Sequence, residues 1–124
     1  MKILVCGGRD FGHGEEETNF MNNTLDEIDM KHGVLHVVHG NAHGADYVAK
    51  KWARDAGAEE HAHPANWERY GRSAGPRRNA KMLSEHTDID MVVAFPGGDG
   101  TADMVKKALV KGIKVYTPVM KGRE

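Results

Sequence analysis

The stretch Phe95-Pro96-Gly97-Gly98-Asp99-Gly100-Thr101 carries the sharpest chemistry in this 124-residue chain. It joins the apolar run Met91–Phe95 to a helical pattern over Thr101–Lys111. Its glycines remove side chains where a strand turns into a helix, so successive backbone N–H groups point into one hollow. The helix adds its positive N-terminal end, and the guest this favours is an anion, most often a phosphate. Gly97, Gly98, Asp99 and Gly100 form the loop, and Thr101 either caps the helix or gives its hydroxyl to a phosphate oxygen. The alternative is a tight strand-to-helix turn with no ligand.

A countercharge stands nearby in the sequence. Between Arg69 and Lys81 lie Arg69, Arg72, Arg77, Arg78 and Lys81 with no acid among them. Pro76 suits the first turn of a helix running to about His86. Arg77 and Arg78 then differ by about 100° around its axis, so only one aims squarely into a site. Basic residues at a helix start oppose the macrodipole, and a bound phosphate would compensate them. Trp67 and Tyr70 precede this helix; they either stack on a base beside the arginines or pack over the sheet edge or a subunit interface.

Two further glycine turns follow apolar runs. Gly7-Gly8 closes Ile3–Cys6, and Arg9 and Asp10 come next. Arg9 would grip phosphate with its planar fork and Asp10 a sugar hydroxyl, or the two would pair and hold the loop. Gly40-Asn41 closes Val34–His39 and leads through Gly44 to Asp46, a first-turn acid explained equally by a ribose contact or by the helix dipole.

Several other chemistries are excluded. Gly7 to Gly12 has the outer spacing of a P-loop, but His13-Gly14 stands where Lys-Ser/Thr is required. No G-x-G-x-x-G follows the first strand, and the second ends at His39-Gly40 with no carboxylate for an adenosine ribose. A hydride-transfer dehydrogenase is therefore a poor fit, and no cofactor is expected. Among eight histidines, His39 and His43 span a turn and His61 and His63 alternate on a weak strand. No third ligand stands at zinc-like spacing and Cys6 has no partner, so no metal site is expected. No G-x-S-x-G elbow supports a serine triad.

The elements that must position these groups alternate. Strands are predicted at Ile3–Cys6, Val34–His39, Glu59–His63, Met91–Phe95 and Ile113–Thr117. Helices are predicted over Glu15–Lys31, Ala45–Ala56, Pro76–His86 and Thr101–Lys111, with Gly33, Gly57 and Gly112 as terminators. Pro64 to Pro76 reads as irregular. This order predicts an α/β, single-domain Rossmann-like doubly wound sheet over residues 1–124, with about five mostly parallel strands and helices on both faces. The ligand site of such a sheet lies beyond the carboxyl ends of its strands, where all three glycine-rich loops fall. The composition, 40% hydrophobic and 28% charged with a net charge of −1, is that of an ordinary folded domain. It gives no global field for duplex DNA or an anionic membrane, which argues against a nucleic-acid partner. No apolar run approaches the roughly 20 residues that span a bilayer. With strand-like sequence from Lys2 and a single cysteine, a cytoplasmic location is expected.

Four ordered segments carry a resemblance: Cys6-Gly7-Gly8-Arg9-Asp10-Phe11, His39 to Asp46, Ala74-Gly75-Pro76-Arg77-Arg78-Asn79 and Phe95 to Met104. Together the chain resembles the YspA-related family of the SLOG superfamily, small Rossmann-like proteins of bacteria and their phages. The resemblance implies binding of a nucleotide or nucleotide-derived ligand, including ADP-ribose-like signals. Related LOG phosphoribohydrolases release a base from a nucleoside monophosphate and carry an arginine followed by P-G-G-x-G-T-x-x-E. On that pattern Arg78 matches the arginine, but the glutamate position falls on Met104, with Asp103 one residue earlier. The expectation is therefore ligand binding at the carboxyl rim, with N-ribohydrolase activity through Arg78 and Asp103 (or Asp10) as the alternative. Related folds often pair through sheet-flanking helices, so a homodimer is considered.

Overall fold

A computed structural model of the chain describes residues 1–122. The elements run β1 (Lys2–Cys6), α1 (Gly14–His32), β2 (His36–His39), α2 (Ala45–Ala56), β3 (Glu59–Ala62), α3 (Trp67–Tyr70), α4 (Ala74–Glu85), β4 (Met91–Ala94), α5 (Asp99–Val110) and β5 (Lys114–Tyr116). The five strands form one parallel sheet in the order β3-β2-β1-β4-β5. β1 is central because its residues are apolar on both faces, as a strand covered twice must be. Ile3, Val5, Val37 and Val93 face one core with Met21, Leu25, Val48, Ala49 and Trp52 of α1 and α2. Leu4, Cys6, Val38, Val92 and Ala94 face the other with Met82 and Leu83 of α4 and Met104 and Ala108 of α5.

The chain leaves β1 toward β2 and β3, then crosses back to β4 and β5. The order therefore reverses between β1 and β4, and a crevice opens there. Beneath it Phe11, Phe20 and Phe95 interlock, with Phe11 and Phe95 stacked at 6.2 Å and Phe20 edge-on to Phe95 at 5.9 Å. This apolar floor gives the loops above it a rigid base.

The predicted boundaries hold to within two residues at most ends, and ladder hydrogen bonds such as His63 N to the His39 carbonyl (2.9 Å) and Phe95 N to the Cys6 carbonyl (2.9 Å) continue just past the strand ends. The segment from Pro64 to Pro76 differs from its irregular reading. Asn66 Oδ1 accepts from Arg69 N at 3.0 Å and caps the short helix α3, and a 3-10 turn over Gly71–Ser73 follows. α4 then starts at Ala74, two residues before Pro76. A proline is tolerated there because first-turn N–H groups have no intrahelical acceptor to lose. Gly75 permits the close packing: a Cβ there would stand 3.2 Å from Cη2 of Trp67.

Candidate functional site

The loops after β1, β2 and β4 enclose a cleft of about 570 Å³ at the carboxyl edge of the sheet, within the size range of small-molecule sites. Gly8 N donates to the Pro96 carbonyl at 2.9 Å, and Ala45 N donates to the Gly8 carbonyl at 3.2 Å, so the first loop is stitched to both others. The backbones meet too closely for side chains. A Cβ on Gly8 would lie 3.1 Å from Gly97 Cα and 3.2 Å from the Pro96 carbonyl oxygen, and one on Gly97 would lie 2.7 Å from Gly8 N. α5 begins at Asp99 with Gly98 at its N-cap, and no side chain occupies the cap. Its first-turn amides have no intrahelical acceptor and face the direction from which an anion would approach.

Opposite that helix start lies Arg78. Its Nη1 donates to the Gly40 carbonyl at 2.6 Å and its Nε to Asn79 Oδ1 at 3.0 Å. Burial lowers its pKa while Asp46 opposes the shift, and a guanidinium stays charged at any physiological pH. Gly40 is required here for space, since a Cβ would run into the Arg78 guanidinium and stand 3.0 Å from Asp46 Oδ2. Asp46 is 6% exposed and accepts from Ala42 N at 3.2 Å. Burial raises its pKa, partly offset by the Ala42 amide, His39 and Arg78. The thiol of Cys6 in the cleft floor is pushed up to about 12 by burial and by Asp46, against Arg78, so it is no nucleophile.

Of the residues singled out in the sequence, Gly7, Gly8, Arg9, Asp10, Gly40, Asp46, Arg78, Gly97, Gly98, Gly100 and Thr101 all line this one cleft. Asn41, Arg77, Asp99 and Asp103 do not. Asn41 takes a positive φ of 56°, and its Oδ1 accepts from Lys50. Arg77 lies over the Tyr70 ring at 4.5 Å and donates to Ser73 Oγ, on the outer side of α4. Because α4 starts at Ala74, both arginines sit beyond its first three residues, and burial rather than the helix dipole is what a partner anion would offset for Arg78. Asp103 is held by Lys107 Nζ at 2.6 Å and by Asn79 Nδ2 at 3.0 Å. Although burial pushes it up, those bonds hold its carboxyl below the usual range. Among the described residues no ion pair joins Arg9 to Asp10; the Arg9 guanidinium stacks on Trp67 instead, 4.9 Å from the ring centroid.

Sequence reasoning missed one residue. Asn79, 4% exposed, donates to the Gly100 carbonyl at 3.1 Å as well as to Asp103, and so ties the arginine's helix to the glycine loop. Its signal was a polar side chain on the apolar stripe with Gly75, Met82 and Leu83. Trp67, one of the two aromatics singled out before the basic helix, forms part of the cleft wall.

A parallel sheet with its crevice at the reversal of strand order, walled by glycine loops and a half-buried guanidinium, is the build of a Rossmann-like ligand-binding domain. The chain belongs to the YspA, cpYpsA-related SLOG family, whose model matches residues 1–70. It is 34% identical over 121 residues to the Gene 61 protein of Mycobacterium phage D29, covering 92% of this chain and 93% of that relative. Solved structures share its fold. TM1055 is 20% identical with a TM-score of 0.67, covering 99% of this chain and 76% of that one. DNA processing protein A from Streptococcus pneumoniae is 16% identical with a TM-score of 0.73; 98% of this chain aligns with 51% of that protein. The Moco carrier protein from Chlamydomonas reinhardtii is 20% identical with a TM-score of 0.58, covering 94% and 75% respectively. No helix among the described residues is long and apolar enough to cross a membrane.

Proposed function

We propose that the cleft binds a phosphate-bearing nucleotide or nucleotide-derived ligand, a nucleoside phosphate or an ADP-ribose-like molecule. The observation that carries this is the placement of Arg78, a half-buried cation that lines the same cleft as the glycine-rich turn Gly97–Thr101 at the start of α5. Among the described residues no carboxylate forms an ion pair with Arg78, although Asp46 lies close enough to couple to it, and a half-buried cation so placed favours an arriving anion. Phosphate would take the amides of the Gly97–Thr101 turn, the Thr101 hydroxyl and the free donors of Arg78. Asp10 and Asp46 would accept from ribose hydroxyls, and Trp67, backed by Arg9, offers a face on which a base stacks. Isothermal titration against nucleoside mono-, di- and triphosphates and ADP-ribose derivatives tests this. Saturable binding of phosphorylated ligands is expected, and silence across the panel at millimolar concentration overturns it.

Hydrolysis of an N-glycosidic bond needs a carboxylate near the sugar to stabilise positive charge or activate water. Asp103, engaged by Lys107 and Asn79 outside the cleft, is poorly disposed for that; Asp10 and Asp46 are the carboxylates at hand. Incubation with AMP and NAD, followed by chromatography for free base, separates a binder from a hydrolase. Base release that persists in Asp103→Asn and stops in Asp46→Asn would make the protein an enzyme with a relocated acid.

A further inference from the structure

Four imidazoles and two carboxylates gather on the sheet face that carries Leu4 and Val38, away from the cleft. His36 opens β2, and its parallel partner in β3 is Glu59; His61 pairs with Val38. Side chains at paired and alternate positions leave the sheet on the same side, so His36, Glu59 and His61 converge. His36 Nδ1 lies 3.1 Å from His61 Nε2 and 3.2 Å from Glu59 Oε2. Ligand atoms around a tetrahedral ion with bonds of about 2.0–2.1 Å stand about 3.4 Å apart, so these two edges need open by only a few tenths of an ångström. All three atoms lie within 4.8 Å of one another.

A neutral His36 has at most one proton to share at Nδ1, yet two acceptor-bearing groups crowd that single atom. A cation there would satisfy all three at once. The neighbouring trio His63, Glu85 and His86 is less well aimed: His86 meets Nε2 of His63 at 2.7 Å, whereas Glu85 approaches Nδ1 at 3.6 Å, on the other side of the ring. Lys2, the nearest cation on this face, is paired with Asp88 at 2.9 Å, which offsets its repulsion. The side chains of His36 and Glu59 are 38% and 66% exposed, leaving an entry path and room for water in a fourth position.

We infer that His36, Glu59 and His61 form a binding site for a divalent transition ion of the zinc class, completed by solvent and separate from the nucleotide cleft. Two imidazoles and a carboxylate suit Zn²⁺, Ni²⁺ or Cu²⁺ better than Mg²⁺ or Ca²⁺. The ion would join the edge strand β3 to β2 through side chains, adding to the His39–Glu60 contact at 3.1 Å that already bridges them.

The test uses the full chain stripped with a chelator, then titrated with Zn²⁺ by calorimetry and with Co²⁺ by visible absorption. One ion per chain is expected to bind at micromolar concentration, raise the melting temperature, and give Co²⁺ the intense bands of a four-coordinate N/O site. Glu59→Gln, an exposed change that leaves the fold intact, should weaken Zn²⁺ binding roughly tenfold or more, and His61→Ala should abolish it. His63→Ala and Arg78→Ala should leave it unchanged. If His61→Ala fails to fold, Glu59→Gln alone decides. Absence of saturable Zn²⁺ binding, full binding in Glu59→Gln, or loss confined to His63→Ala would each overturn the assignment.

Discussion

Replacing Arg78 by alanine probes the cleft most directly. Of the guanidinium's five N–H donors, one goes to Asn79 and one to the Gly40 carbonyl, which leaves three to meet a ligand. A charge-assisted bond contributes about 1.5–3 kcal/mol net, and a phosphate oxygen held against the half-buried fork sits at the upper end of that range. The loss on truncation is therefore about 2–3 kcal/mol, or roughly 30- to 150-fold in Kd. The Gly40 carbonyl and Asn79 Oδ1 each lose a donor in the variant, so a urea melt run alongside measures the cost to the fold. The assay is a cycle by calorimetry: Arg78 and its alanine variant, each titrated with a nucleotide and with the matching unphosphorylated nucleoside. The nucleotide should lose that factor and the nucleoside almost nothing, while Arg77→Ala changes neither. Equal losses for both ligands, or a larger loss in Arg77→Ala, would show that Arg78 shapes the cleft without meeting phosphate.

Three other outcomes follow from the geometry. Gly8→Ala pushes a Cβ against Gly97 and the Pro96 carbonyl, so it should destabilise the domain by about 1–3 kcal/mol in urea melts and weaken ligand binding more than Arg77→Ala does. Burial lowers the pKa of His61, His63 and His86 from the usual 6.5. The unfolded chain therefore binds protons first on acidification, and stability held above about pH 6.5 should fall as pH drops through that value toward the folded-state pKa values. Asp46, whose carboxyl is raised by burial, titrates with the opposite sign, so the melts are run in Asp46→Asn, and no loss of stability on acidification would refute the assignment. Cys6, with its thiol pushed up to about 12, should resist disulfide reagents in the folded protein and react at once in denaturant; fast labelling of the native chain would contradict the burial described.

The strand-helix alternation and the glycines ending the apolar runs were sufficient to place the sheet and the rim at which the glycine loops meet. Each reports a local property, the period of apolar residues or the absence of a Cβ. What stayed hidden depends on contacts between distant segments. Arg77 and Arg78 are chemically alike in one dimension; the start of α4 at Ala74 and the Gly40 carbonyl decide that Arg78 turns inward. Asp103 reads as an available carboxylate in the sequence, whereas Lys107 and Asn79 hold it in the fold. The histidine group was invisible for the same reason, since its members come from β2, β3 and the end of α4, and no spacing along the chain reveals a third ligand supplied across a sheet.

The bond from Gly8 to Pro96 bridges segments 88 positions apart, and around it the glycine loops close the cleft. A folding intermediate that had completed only the first three strands would own Arg9, Asp10 and Asp46 yet lack both Arg78 and the Gly97–Thr101 turn. Contacts this remote form late, because ordering the intervening chain must come first. Ligand would therefore select the finished domain alone, and its stabilising effect would appear in full at the unfolding transition, making a simple melting shift a faithful reporter of occupancy.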